Sequence, residues 1–258
     1  MSLSITDNIS ELEAMKKYPK ELFYKGDLEL LKRPKVSVVG TRRPSAYTRQ
    51  FTYALSNALA KRGVCVVSGA AMGVDAIAHD GAGASNTIAV VANGLDIKYP
   101  AVNKNLIENI EKEGLVISQF KDGFRATGWS FVVRNEVVVA LGDILVVTQA
   151  EPNSGSMRSV EFAKKMGKQI FVLPHRLGES LGTQELLEKS EAKAIYDVEN
   201  FASSFGCAVA DDVVKDDFFY FCQKCPSVDE AIQQFGDKVY EAELEGIITI
   251  QNGIVRLN

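Results

Sequence analysis

Short, almost wholly apolar segments recur along the first two thirds of the chain. Strands of this kind are buried on both faces of a sheet, as in parallel sheets that helices cover on both sides. Glycine, proline or polar residues bound each segment, so we predict six strands. They are residues 36–40, 64–69, 87–93, 115–120, 143–150 and 169–174.

Between these segments the apolar positions recur every three to four residues, which is the spacing of an amphipathic helix. The alternation of strand and helix predicts serial right-handed βαβ units. We therefore predict an α/β fold with a Rossmann-like, doubly wound parallel sheet over residues 34–205, preceded by a short, basic, helical lead-in over residues 1–33. The predicted helices are residues 47–62, 74–82, 103–113, 131–141 and 156–166.

The composition changes after residue 205. Three helical patterns are followed by an Asn252-Gly253 pair between two apolar segments, which is a strong hairpin signal. This order predicts a small, acidic, winged-helix-like domain over residues 211–258. Glutamates on its third helix would repel a DNA backbone, so we expect the domain to contact protein. Its predicted helices are residues 211–224, 227–235 and 238–245, and its strands are residues 247–251 and 254–257.

The overall composition is that of a globular protein of 258 residues, 46% hydrophobic and 24% charged. No apolar run reaches the ~18–20 residues that span a bilayer, and residues 1–10 lack the pattern of a signal peptide. Four cysteines favour a reducing cytoplasm over a disulfide scaffold. Cys222 and Cys225 form a single CxxC, for which two thiols on one helix face are favoured over a zinc site.

Charge is distributed unevenly, although the net charge is only −4. Residues 16–62 hold twelve Lys or Arg and three acids, a balance of +9, whereas residues 211–245 hold three basic and ten acidic residues, a balance of −7. Such asymmetry is typical of a polyanion-binding part joined to an acidic part. Solvated faces without a partner are the alternative.

Two arginines follow the first predicted strand, in the sequence Gly40-Thr41-Arg42-Arg43. In a parallel sheet this turn lies at the carboxyl end of the strand, where ligands bind. Free backbone N–H groups and the dipole of the next helix attract anions there. Guanidinium groups are rigid, permanently charged donors for phosphate oxygens. The turn is therefore a candidate phosphate site.

Three more predicted strands end in small or polar residues. Each loop also has an ordinary explanation: small residues permit tight packing after the second strand, and a serine can cap the helix that follows the fifth. Because the carboxyl ends of parallel strands share one edge, these loops and Arg134 together predict an anion-binding pocket. The loop residues are Ser68, Gly69, Asn93, Gly94, Ser154, Gly155 and Ser156.

The chain offers little for catalysis. His79 lies within a helical pattern, where a packed or capping role is favoured, and His175 follows the last strand without a nucleophile or a metal set. The dinucleotide fingerprint and the phosphate loop of nucleotide-binding enzymes are absent after the first strand. We therefore predict a protein that is not an enzyme and has no cofactor.

These motifs, in this order, resemble those of the DNA-processing protein A family (DprA/Smf). The resemblance implies an extended Rossmann fold that binds single-stranded DNA, protects incoming DNA during natural transformation and loads the recombinase RecA onto it. It also implies a homodimer without a nucleotide cofactor, and a C-terminal winged helix is common in the family. The matching segments are residues 40–47, 68–79, 94–100, 134–135 and 154–156.

The resemblance also implies roles for individual residues. Arg43, with Gly40 and Thr41, matches the Gly-Ser-Arg phosphate motif of the family, and Arg134 and Asn135 match its Arg-Asn pair.

Aromatic residues complete the implied site, because single-stranded DNA is held by a basic groove and by aromatic faces on which bases stack. Phe131 matches the aromatic residue three positions before the family's arginine, and Trp129 offers a second face. Core packing is the alternative for both rings.

The chain departs from the family at four positions. Met72 stands where an arginine is common, Glu136 where an arginine follows the Arg-Asn pair, and His175 where a glycine is usual. Gln119 replaces a frequent glutamate. We hypothesise that the basic segment 16–35 offsets the missing cations.

Two other functions remain open. A nucleotide-hydrolysing Rossmann enzyme, similar to nucleoside monophosphate phosphoribohydrolases, would use the loop at residues 154–156 and Glu161, but the proline- and glycine-rich loop and paired glutamates of that group are absent. A nucleotide sensor whose acidic tail docks a protein is the other. Release of free base would identify the enzyme, and binding of one nucleotide but no oligonucleotide would identify the sensor.

Overall fold

A twisted sheet with helices on both faces forms the main body of the protein. The computed structural model describes residues 2–206, 216–251 and 253–257. All six predicted strands are confirmed, and three further strands extend the sheet at its two edges. The nine strands are β1 (Leu3–Ser4), β2 (Phe23–Gly26), β3 (Lys35–Val39), β4 (Cys65–Ser68), β5 (Thr87–Val91), β6 (Leu115–Ser118), β7 (Ile144–Val147), β8 (Ile170–Val172) and β9 (Lys193–Ala194).

The strand order is β1-β2-β6-β5-β4-β3-β7-β8-β9. From β6 to β9 every pairing is parallel, which confirms the predicted doubly wound sheet. The chain builds outward from β3 in one direction through β4, β5 and β6, and then in the other direction through β7. The switch point of the topology therefore lies between β3 and β7, where ligands bind in sheets of this type.

Helices cover both faces of the sheet, and the five predicted helices are confirmed to within a few residues at each end. One buried cluster includes residues from 137–141 and 160–163 of the fourth and fifth helices, and another includes residues from 55–60 and 74–82 of the first two helices. The helices are α1 (Ala46–Ala60), α2 (Val74–Ala82), α3 (Lys104–Glu113), α4 (Gly128–Leu141) and α5 (Gly155–Lys165), followed by α6 (Leu181–Glu188) and α7 (Val198–Ser203), which the sequence did not predict.

The first 33 residues differ from the predicted helical lead-in. They contribute β1 and β2, which pair antiparallel at the β6 edge, and two short 3₁₀ helices (Ser10–Ala14 and Leu28–Lys32). The prediction failed because β2 reads Phe-Tyr-Lys-Gly, which lacks the continuous apolar run of the central strands. Lys35 Nζ, buried at the start of β3, lies 2.6 Å from Glu11 Oε1 and ties this segment to the sheet.

The C-terminal part folds as three helices followed by a hairpin, in the predicted order. Residues 211–215 of the predicted first helix and Asn252 of the predicted turn lie outside the described residues. The hairpin is confirmed by the pairing of Gln251 with Ile254, whereas the winged-helix class stays a prediction. The elements are α8 (Asp217–Cys222), α9 (Val228–Phe235), α10 (Lys238–Leu244), β10 (Ile248–Gln251) and β11 (Ile254–Leu257).

Helix α8 docks the C-terminal part against the amino ends of β3 and β4. The guanidinium carbon of Arg33, just before β3, lies 4.7 Å from the centroid of the Tyr220 ring. At Gly63, just before β4, a Cβ atom would lie 2.7 Å from Phe219 Cε1, so only glycine permits this approach. The acidic C-terminal part therefore lies at the amino ends of the strands, whereas ligands in sheets of this type bind at the carboxyl ends.

None of the helices in the described part of the chain is long and apolar enough to cross a membrane. Among the described residues, no group of three or more His, Cys, Asp or Glu is placed to hold a metal ion. Cys222 is buried in the C-terminal core, and burial raises the pKa of its thiol to about 12, whereas Cys225 is exposed.

Candidate nucleic-acid interface

A cleft of about 660 Å³ opens at the switch point, above the carboxyl ends of β3, β4 and β7. Helices α4 and α5 form its other wall. The structure brings together most of the residues that the sequence predicted for an anion-binding pocket. Those in the cleft wall are Gly40, Thr41, Arg42, Gly69, Phe131, Arg134, Asn135, Ser154, Gly155 and Ser156.

Four predicted residues lie outside this wall. Arg43 is exposed to solvent beyond the rim. Ser68 is fully buried, and its hydroxyl donates a 2.7 Å hydrogen bond to the Val38 carbonyl, which is a structural role. Asn93 lines a narrower recess beside the cleft, and Gly94 is packed below the surface against the loop that follows β6.

The loop after β3 is held by its own backbone hydrogen bonds. The Thr41 N–H donates to the Gln149 carbonyl at 2.9 Å, and the Thr41 carbonyl accepts from the Val74 N–H at 3.1 Å. The Arg43 N–H donates to Thr41 Oγ1 at 3.2 Å. The expectation of free N–H groups was therefore wrong for Thr41 and Arg43. What this loop presents to the cleft is the side chain of Arg42.

Arg42 lies over an aromatic surface. Its guanidinium carbon is 5.4 Å from the centroid of the Phe131 ring, and the Tyr99 ring lies 6.1 Å from the same centroid. Arg42 is exposed and makes no ion pair with any residue that the structure describes. Its charge is therefore available to an anion, and the neighbouring rings are available to an apolar group of the same ligand.

Arg134 has a different role from Arg42, because it is only 4% exposed. Its Nη1 donates to the carbonyl oxygens of Gly69 and, at 2.8 Å, Val90, which end β4 and β5. Burial lowers the pKa of the guanidinium, and the nearby Asp75 carboxylate opposes that shift. Arg134 is thus a structural residue at the floor of the cleft, and its positive charge offsets the negative charge of the buried Asp75 carboxylate.

Asp75 lines the same floor, and its carboxylate accepts a 3.3 Å hydrogen bond from the Ala71 N–H. Burial raises the pKa of Asp75, and Arg134 partly counters this. The charges of Asp75 and Arg134 offset one another, and Arg158 pairs with Glu161 on the surface of α5 at 3.7 Å, so Arg42 supplies the unpaired positive charge of the wall.

Asn135 connects helices α4 and α5 within one wall of the cleft. Its Oδ1 accepts a 3.1 Å hydrogen bond from Arg134 Nε, and its Nδ2 donates to the Gly155 carbonyl in the first turn of α5 at 3.5 Å. The hydrogen bonds of Arg134 and Asn135 therefore connect the carboxyl ends of β4 and β5 to the amino terminus of α5.

The amino terminus of α5 carries hydroxyl groups whose hydrogen-bonding capacity is unused. Ser154 Oγ makes no cap hydrogen bond, which overturns the capping explanation for that serine. Ser154 Oγ and Ser159 Oγ are buried and have no hydrogen-bond partner among the described residues. Unpaired donors beside a helix amino terminus favour an anion.

Sequence reasoning assigned no site role to four residues that line the cleft or the recess beside it: Asp75, Tyr99, Arg158 and Ser159. Arg158 follows Ser154 by four residues, so the helical period of α5 places both on one face and could have identified it. Tyr99 reaches Phe131 from the loop after β5, a proximity that depends on the strand order.

Neither histidine is placed for catalysis in this cleft. His79 is buried, with Nε2 accepting from the Ala70 N–H at 3.3 Å and Nδ1 2.6 Å from Thr87 Oγ1. Burial lowers the pKa of His79 to about 3, so the ring is neutral and structural. His175 Nε2 lies 2.7 Å from the Thr148 carbonyl, with its ring against Tyr47.

The departures from the family pattern have structural accounts in two cases. Glu136 accepts a 3.2 Å hydrogen bond from the Lys16 N–H, so it anchors the amino-terminal segment. Met72 is exposed and lines the recess beside the cleft, where it adds apolar surface instead of charge. Glu161, the carboxylate that a hydrolase would need, is exposed on α5 beside Arg158 and is not part of the cleft wall.

Comparisons with known proteins place these features in context. The family model described as DNA recombination-mediator protein A matches residues 6–206. The chain is 41% identical to a solved structure of DNA processing protein A from Helicobacter pylori, which concerns the single-stranded DNA binding mode of that protein. The match covers 79% of this chain and 95% of that one, with a TM-score of 0.77.

Two curated relatives are more distant in sequence. The chain is 32% identical over 187 residues to DNA processing protein DprA from Bacillus subtilis and 36% identical over 163 residues to protein Smf from Synechocystis. These matches cover 70% and 61% of this chain, but only 63% and 41% of the two relatives. The chain therefore spans about half the length of these relatives.

Proposed function

Because the chain belongs to the DNA recombination-mediator protein A family, we propose that it binds single-stranded DNA in the cleft at the switch point. The observation that carries the proposal is the position of Arg42 over the Phe131 ring. An unpaired guanidinium beside a half-buried aromatic ring suits the two parts of a nucleotide, its phosphate and its base. The Helicobacter pylori relative, whose structure concerns single-stranded DNA binding, supports the same class of ligand.

The phosphate sits between Arg42 and the amino terminus of α5. Arg42 donates charge-assisted hydrogen bonds to its oxygens. On the opposite wall, the first N–H groups of α5 and the hydroxyl of Ser154 complete the coordination. Arg158, one turn further along α5, accompanies the backbone as it leaves the cleft.

The base stacks on Phe131 and Tyr99. Stacking requires a base whose face is free, and in a duplex both faces are covered by neighbouring pairs. The cleft therefore selects single strands over duplexes, with little preference for sequence, because every base has an aromatic face. No bond is broken in this account, so the chain acts by binding.

We further propose the roles that the family resemblance implies: a cytoplasmic homodimer that protects DNA entering by natural transformation and loads RecA onto it. A dimer would present two clefts to one strand and raise the effective concentration of the second contact. Sedimentation equilibrium tests the dimer, and a monomer at all concentrations contradicts it. RecA ATPase activity on protein-coated single strands tests the loading, and an unchanged lag contradicts it.

The binding proposal is tested by fluorescence anisotropy of a labelled oligonucleotide, as a single strand and as a duplex. We expect a clear preference for the single strand. Phe131→Leu should weaken single-strand binding by about 1–3 kcal/mol, whereas Tyr53→Leu, an exposed aromatic residue on α1 outside the cleft wall, should not. Equal binding of strand and duplex, or an unchanged affinity in Phe131→Leu, contradicts the proposal.

A further inference from the structure

The single tryptophan of the chain, Trp129, is 63% exposed in the first turn of α4. An indole with this exposure lies outside the core and offers a face on which a nucleic-acid base can stack. Core packing, the alternative that the sequence left open for this residue, is therefore wrong. Val132, one turn further along α4, is 42% exposed and enlarges the apolar surface.

The indole is held in place from one side. The Phe120 ring meets it edge-on, with centroids 5.8 Å apart, and Phe120 itself stacks on Phe124 at 4.4 Å. These contacts fix the orientation of Trp129 and leave most of its surface to solvent. A rigid, exposed aromatic ring loses little conformational entropy when a second ring stacks on it.

Trp129 continues the surface that begins at Arg42. Its neighbour Gly128 lines the cleft, and Phe131 lies two residues further on. Arg42 follows β3, whereas Phe120 follows β6, three strands away in the sheet. Aromatic side chains therefore extend from the switch point along the strand ends towards the β6 edge, over ~14 Å at the usual strand spacing.

The charges around Trp129 suit a phosphate backbone. Arg125, in the loop before α4, is exposed and makes no ion pair among the described residues. Lys121 pairs with Glu21 at 3.2 Å, and the Asp122 carboxylate is occupied by the hydroxyl and N–H of Ser2. Arg125 lies four residues before Trp129 in the chain, so this surface also combines an unpaired cation with an aromatic ring, as Arg42 and Phe131 do.

We propose that Trp129 is a second stacking platform for a base of the same DNA strand, and that Arg125 contacts the phosphate that leads to it. This inference rests on the proposed function, because it extends the strand that the cleft binds. The strand runs from the α5 side of the cleft, past Phe131, and on to the β6 edge.

Intrinsic fluorescence tests the platform directly, because Trp129 is the only source of tryptophan emission. Titration with oligothymidylates of increasing length should quench the emission, and quenching should need a longer oligonucleotide than binding measured by anisotropy. Trp129→Leu should weaken binding of the long oligonucleotide about fivefold to a hundredfold. Trp129→Phe should keep most of the affinity. Tyr240→Leu, an exposed aromatic residue on α10, is the matched control and should bind as the wild type.

The outcomes separate the two proposals. Binding by anisotropy without quenching, together with unchanged affinity in Trp129→Leu, overturns the platform but leaves the cleft intact. No binding of any labelled oligonucleotide removes the proposed function itself. If Trp129→Leu instead abolishes self-association in sedimentation without altering DNA affinity, the surface binds protein and the platform is wrong. Circular dichroism and cooperative unfolding establish that each variant is folded.

Discussion

Arg134 covers the backbone of Gly69 so closely that no side chain fits between them. Its guanidinium donates to the Gly69 carbonyl, and a Cβ atom at residue 69 would lie 2.7 Å from Arg134 Nη2. The glycine of the second strand-end loop is therefore required by the arginine of α4, two elements that are 65 residues apart. The floor of the cleft depends on this contact.

We expect Gly69→Ala to displace Arg134 and to cost about 1–3 kcal/mol of unfolding free energy, as an overpacked core does. Gly155→Ala is the matched control, because no atom lies within 4 Å of a Cβ built there. Urea denaturation measures both. If Gly69→Ala and wild type have the same free energy of unfolding, Arg134 can move away from residue 69 at no energetic cost, which contradicts a fixed cleft floor.

Replacing each arginine separates a structural role from a binding role. Arg134→Met leaves two buried carbonyl oxygens and Asp75 without their partner, so we expect a loss of about 2–4 kcal/mol in unfolding free energy. Arg42→Met removes an exposed, unpaired charge, and its stability should stay within about 0.5 kcal/mol of wild type. Thermal and urea unfolding test this contrast, which a similar stability of the two variants would refute.

His79 makes the stability depend on pH. Burial lowers its pKa from 6.5 to about 3 in the folded chain, whereas the unfolded chain keeps the ordinary value. Between these values only the unfolded chain binds the proton. The contribution of His79 to the free energy of unfolding is therefore fully present above pH 6.5 and falls as the pH drops towards 3.

Below pH 6, His79 should lower the free energy of unfolding by about 1.4 kcal/mol for each unit by which the pH falls. His79→Gln lacks this group, so the difference in unfolding free energy between wild type and variant should shrink on acidification. Urea denaturation from pH 7.5 to 4.5 measures it. A difference that stays constant over this range means that His79 is not held neutral.

The contact between Arg33 and Tyr220 joins the acidic C-terminal part to the sheet. A double-mutant cycle with Arg33→Met and Tyr220→Leu should give a coupling of about 0.5–2 kcal/mol in unfolding free energy. The cycle with Arg256→Met, an exposed residue on β11, in place of Arg33→Met should give no coupling. Zero coupling in both cycles would mean that α8 does not dock at this edge in solution.

The central sheet could be predicted because its strands are short apolar runs that end in glycine or polar residues. The second strand of the sheet, β2, could not, since Lys25 and Gly26 interrupt its apolar pattern and its partner β6 is distant in sequence. The basic segment before β3 illustrates the same limit. The sequence suggested that segment 16–35 offsets the cations missing from the site. Its last residues, Arg33 and Lys35, lie at the amino ends of the strands, away from the cleft, and the contribution of the rest of the segment stays a prediction.

The membership of the site was predicted better than the roles of its residues. Strand-end position identified Arg42, whereas the family resemblance identified Phe131 and the Arg134-Asn135 pair. Their roles differ with burial: backbone carbonyls enclose Arg134, whereas Arg42 is exposed in the cleft wall and Arg43 is exposed outside it. Neither the order of the strands nor the direction of two adjacent arginines can be read from the residues.

The most direct test of the account is the salt dependence of single-strand binding in wild type, Arg42→Ala and the control Arg256→Ala. Each phosphate contact contributes ~0.7 to the slope of log affinity against log salt concentration. We predict that Arg42→Ala lowers this slope by ~0.7 and weakens binding about tenfold to a hundredfold, while Arg256→Ala changes neither. An unchanged slope and affinity in Arg42→Ala would contradict the claim that this cleft holds the DNA.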